Sequence, residues 1–89
     1  MRAVITVLGK DMVGILANVS TVCAKYGVNV MEVTQSILQD LFAMIMMVDI
    51  SKSTIPFDEL SKKLQDIGAE MGLTIHVMHE DIFNSMHRI

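Results

Sequence analysis

Strand, helix, strand: that order is written twice along this chain, at about 1–38 and again at about 41–79. In each copy a short apolar run leads into apolar residues at helical spacing, then into a second β-rich run. Right-handed crossovers fold β-α-β-β-α-β into a split βαβ sandwich. The expected fold class is α+β: a ferredoxin-like four-stranded antiparallel sheet with two helices on one face, plus a C-terminal helical tail. Residues 1–79 make the domain and 80–89 the tail.

In the first copy, Ala3 to Leu8 is an apolar run ending at Gly9, which suits a buried central strand. A turn follows from Gly9 to Gly14, and a helix is expected to begin near Val13. Ile15, Leu16, Val19, Val22, Cys23 and Tyr26 share one helical face, and Gly27 directly after them marks the helix end. Val28 to Leu38 is β-rich but changes parity, which predicts a bulge between Val30 and Val33. Gln39-Asp40 then reads as a tight hairpin.

In the second copy, Leu41 to Ile50 reads LFAMIMMVDI and is apolar at both parities up to Val48. A strand with one wet face should alternate. The expectation is that helices cover one face and a second copy of the chain the other, giving a homodimer. Either Met44 or Met46 is then expected to face the partner. Pro56, Asp58 and Glu59 suit a helix start, and Phe57, Leu60, Leu64, Ile67 and Met71 follow as an apolar stripe closed by Gly72. Leu73, Ile75 and Val77 alternate with polar neighbours as a final strand. Ile82, Phe83, Met86 and Ile89 give the tail one apolar side, expected to dock on the body or on a partner.

The composition narrows the function mainly by exclusion. With 89 residues there is one domain, and 52% of them are hydrophobic, nine being Met. That excess argues for surface buried against another chain. The net charge is −3 with scattered Lys and Arg, so no nucleic-acid partner is expected. The single Cys forms no internal disulfide, and no apolar run approaches a membrane span. The expected location is cytoplasmic. Cys23, on the apolar stripe, reads as a core residue. His76 and His79 lie three apart on a strand and point to opposite faces, so no metal site is expected. Gly9-Lys10 has no P-loop frame, and no catalytic Ser–His–Asp or Cys–His set can be argued. The expectation is a protein that is not an enzyme and needs no cofactor.

One stretch does carry a resemblance. Gly9, Asp11, Gly14-Ile15-Leu16-Ala17, Val19-Ser20, Ala24, Gly27 and Val28-Asn29-Val30 resemble the ACT-domain pattern, G-x-D-x-x-G-I-L-A-x-V-S followed by G-x-N-I. The short chain and its ending, HEDIFNSMHRI, are similar to stand-alone ACT-domain proteins of bacteria and archaea. ACT domains of the glycine-cleavage repressor and of formyltetrahydrofolate deformylase are similar relatives. The resemblance implies a regulatory module that binds an amino acid at a dimer interface and acts on an enzyme or a regulator protein. Unlike those relatives, no catalytic or DNA-binding domain is expected beside it.

The residues allow such a site. Helix-start N–H groups lack intrahelical partners and carry the positive end of the dipole. The backbone of Gly9, Lys10, Asp11, Met12, Val13, Gly14 and Ile15 is therefore the expected carboxylate cradle. Asn29, beside Val30 at the start of the second strand, is the expected partner for the ligand's amine. Asp11 as a simple helix cap is the competing structural reading. Two function classes stay open: a small-molecule sensor acting through a partner, and a protein-interaction module without a ligand.

Overall fold

The computed structural model describes residues 1–10 and 14–86. Its elements are β1 (Arg2–Gly9), α1 (Ile15–Lys25), β2 (Asn29–Leu38), β3 (Leu41–Asp49), α2 (Phe57–Met71), β4 (Thr74–His79) and α3 (Glu80–Met86). The strands form one antiparallel-paired sheet in the order β2-β3-β1-β4. This is the expected ferredoxin-like arrangement. The β1-α1-β2 connection passes over β3, and the β3-α2-β4 connection passes over β1.

Local chemistry sets the joints. Gln39-Asp40 closes the β2–β3 hairpin, with Gln39 at φ 58° in the left-handed region that such two-residue turns use. The expected bulge is present, because the β2–β3 register shifts between Val30 and Glu32. The two main helices end alike. Gly27 and Gly72 both take φ 73°. Val28 N–H reaches the Cys23 carbonyl at 2.8 Å, and Leu73 N–H reaches the Gly68 carbonyl at 2.7 Å. These are Schellman closures, and their recurrence supports the internal repeat.

The core lies between the helices and one sheet face. Ala3, Ile5 and Val7 of β1 and Phe42, Met44, Met46 and Val48 of β3 point into it, meeting Ile15, Val19 and Cys23 of α1 and Leu60 and Leu64 of α2. Two expectations need correction here. Met44 and Met46 are both buried, because residues two apart on a strand share a face. The outward residues of β3 are Leu41, Ala43, Ile45 and Met47 instead. Leu16 is also exposed, one step of about 100° round the helix from buried Ile15.

Gly68 is buried in mid-helix, where a glycine costs about 1 kcal/mol relative to Ala. A Cβ there would lie 2.8 Å from Ile75 Cγ1, so the glycine lets α2 press close to β4. Cys23 is a core residue, as expected. Burial pushes its thiol up to about 11, so it stays protonated near neutral pH. A thiol reagent at mildly alkaline pH should therefore leave the folded protein unmodified and label it in denaturant. Fast labelling of the native protein would show that α1 opens freely.

The tail is helical over Glu80–Met86 and lies against the sheet face that α1 and α2 leave open. Val4, on that face, is fully buried. An ion pair between Arg2 and Glu80 ties α3 to β1. Phe83 is half-buried, but Ile82 is 52% exposed, so only part of the expected apolar side docks. Ile89 lies outside the described residues.

Candidate functional site

The structure separates the expected site residues into two groups. Gly9 ends β1 and Gly14 immediately precedes α1. Asp11, Met12 and Val13 lie outside the described residues. Lys10 is exposed, and Ile15 is buried in the core, so only its backbone can serve a ligand. Gly14 sits at φ 75°, and a Cβ on it would meet only Asn18 Nδ2, at 3.6 Å. Its glycine character serves the left-handed turn rather than close packing. Gly9 differs. A Cβ there would collide with the Leu73 side chain, so its close approach is to the protein's own core.

Asn29 does not stand beside this turn. It pairs with Asp49, which pairs with Arg2, whereas Gly9 pairs with Phe42 at the other end of β3. The seven-residue step from Arg2 to Gly9 along β1 spans roughly 23 Å. The cause is the crossover itself. A helix carries the chain back to where the first strand began, so β2 starts level with the start of β1. Val30 is half-buried, packed against the core opposite Val48.

Asn29 instead borders a polar hollow of about 350 Å³ with Gly27, Asp49, Ser51 and Lys52. Asp49 is held below the ordinary carboxylate range, chiefly by the Ser51 side chain and next by the Ser51 N–H at 2.9 Å. The Met1 ammonium donates to Ser51 Oγ at 2.7 Å and lies 3.8 Å from Asp49 Oδ1. Sequence reasoning missed Asp49, Ser51 and Lys52 because only the register brings them to Asn29.

The open sheet face is the other notable surface. Leu8, Leu41 and Ile45 are 44%, 42% and 39% exposed, beside an apolar hollow that Thr6, Ala43, Met78 and Phe83 help to line. Among the described residues, no group of three or more His, Cys, Asp or Glu converges as a metal set. His79 stacks on Phe57 with centroids 4.2 Å apart, while His76 pairs with Thr6 on the open face. None of the helices described is long and apolar enough to cross a membrane.

Comparison with known proteins agrees with this fold along nearly the whole chain. The family model described as ACT domain matches residues 2–78. A UPF0237 protein of Methanococcus maripaludis is 50% identical over 88 residues, covering 99% of this chain and 98% of its own. A UPF0237 protein of Listeria innocua is 47% identical over 89 residues, covering 100% of both. Among solved structures, an ACT domain protein from Streptococcus pneumoniae superposes with a TM-score of 0.81 at 34% identity, covering 93% of each chain. A formyltetrahydrofolate deformylase from Pseudomonas syringae shares the fold alone, with a TM-score of 0.77 at 20% identity over 88% of this chain and 27% of its own. The chain therefore belongs to the ACT-domain family, whose members are regulatory and often ligand-binding modules.

Proposed function

We propose that this protein is a non-enzymatic regulatory module that binds a small zwitterion, such as an amino acid, where two copies of the chain meet. The observation that carries the reading is the start of α1: Gly14 takes the left-handed region immediately before the helix, and a side chain there would meet only Asn18 Nδ2 among the described residues. The first N–H groups of a helix have no intrahelical partner and suit a carboxylate. Within one chain Asn29 is too far away to take the amine. A two-fold axis that runs the strands of two copies antiparallel changes this, because it carries Asn29 of one copy to the Gly9 end of the other.

The open face offers the contact. Leu8, Leu41 and Ile45 form an apolar surface on the part of this face beside α3, which a second copy of the chain can cover. Exposed Ile82 adds to it. This same surface also favours a second reading, a protein-interaction module with no ligand. Retention of a free amino acid by the purified protein separates the two.

About nine ligand heavy atoms, at roughly 0.5–0.8 kcal/mol each, correspond to a Kd of order 10 µM to 1 mM. Asn29→Ala is expected to weaken binding by about 1–3 kcal/mol, the cost of an unmet polar partner. Calorimetric titration with each common amino acid measures this. Unchanged affinity in the variant would remove Asn29 from the site.

A further inference from the structure

We infer that Asp49, not Asn29 alone, receives the ligand's ammonium group, and that the site selects for a free primary amine. The inference rests on the ligand reading above and adds a specificity determinant to it. Asn29 and Asp49 are direct cross-strand partners, so their side chains emerge on the same face with Cβ atoms about 4.5–5.5 Å apart. One ammonium can bridge two oxygens at that spacing. Asn29 supplies a neutral amide oxygen, and Asp49 supplies a charge, which makes the stronger hydrogen bond.

The chain itself shows that these oxygens suit an ammonium. Its own terminal ammonium rests on Ser51 Oγ at 2.7 Å, with Asp49 Oδ1 3.8 Å away. The Ser51 N–H falls on Oδ1 and the Ser51 side chain also bonds the carboxyl, yet a carboxylate has about four acceptor sites and keeps capacity for a ligand. Arg2, the register partner of Asp49 on its other side, is engaged by Glu80 and does not neutralise the carboxylate.

The hollow also has a positive side. Lys52 lines it together with Asn29 and Asp49. A 2-hydroxy acid keeps the carboxylate of an amino acid but lacks its ammonium, and it loses the charged contact with Asp49. An N-acetylated amino acid loses it likewise.

Three arms test the inference: wild type, Asp49→Asn and Asn29→Ala, each titrated by calorimetry and by amide NMR. The probes are the common amino acids, their 2-hydroxy acid analogues and their N-acetyl derivatives. The expected result is that Asp49→Asn weakens amino-acid binding roughly tenfold or more, and that neither analogue class binds wild type measurably. Amide shifts should include Asn29, Asp49, Ser51 and Lys52. If Asn29→Ala weakens binding and Asp49→Asn does not, the inference fails while the ligand reading stands. Equal binding of amino and 2-hydroxy acids overturns the inference in the same way. Absence of binding by any amino acid overturns both.

Discussion

Met46→Asp is expected to unfold the chain, whereas Ile45→Asp one residue away should leave it folded and make it monomeric. Met46 is fully buried between the sheet and the helices. Losing its side chain from the core costs about 2–5 kcal/mol, and an unpaired buried carboxylate adds several more. A domain of this length has roughly 4–13 kcal/mol to lose. Ile45 points the other way and is 39% exposed, so a charge there keeps its water in a single chain. In the proposed dimer it would be buried against the partner. Circular dichroism reads the first effect, and light scattering at micromolar concentration reads the second. A folded dimer in Ile45→Asp would place the interface elsewhere.

Gly27→Val should cost about 2–6 kcal/mol, and Gly72→Val much less, although both glycines share φ 73°. The left-handed backbone penalises a β-branched residue at either site. Gly27 carries a second penalty, because a Cβ there would lie 2.7 Å from the Lys52 carbonyl oxygen. That oxygen belongs to a loop held in place. Thr54 N–H donates to the Tyr26 carbonyl at 2.8 Å, and Ser53 N–H to the Ile50 carbonyl at 3.1 Å. At Gly72 nothing stands within 4 Å of the added carbon. Denaturant titration of the two variants isolates the clash as their difference. Equal losses would mean that the loop yields at no cost.

Much of the fold was legible because it rests on local patterns. Apolar spacing marked α1 and α2, glycines marked their ends, and the parity change from Val30 to Val33 marked the bulge. What escaped depends on partners far away in sequence. The close approach of Ile75 to Gly68 and of Leu73 to Gly9 is set by the packing of α2 and β4, not by the residues around either glycine. The distance between Asn29 and the turn was derivable in principle. A strand–helix–strand unit places its second strand parallel to the first, so β2 had to begin at the end where β1 begins. Likewise Met44 and Met46, both even-numbered on one strand, had to share a face. The polar surroundings of Asn29 were not derivable, because Asp49, Ser51 and Lys52 join it only through the β2–β3 register and the loop after β3.

That separation makes a composite site testable by mixing two crippled chains. Gly14→Val spoils the turn at a backbone cost of about 1–3 kcal/mol, which the fold can absorb, and Asn29→Ala spoils the amine contact. Neither variant alone should bind an amino acid with wild-type affinity. If each site takes its turn from one copy and Asn29 from the other, a mixed dimer holds one site with both defects and one with neither. Subunit exchange between equal amounts should then restore about a quarter of the wild-type sites at full affinity, as read by calorimetry. If mixing restores none while wild type binds, the two elements do not meet across copies, and the proposed site is wrong.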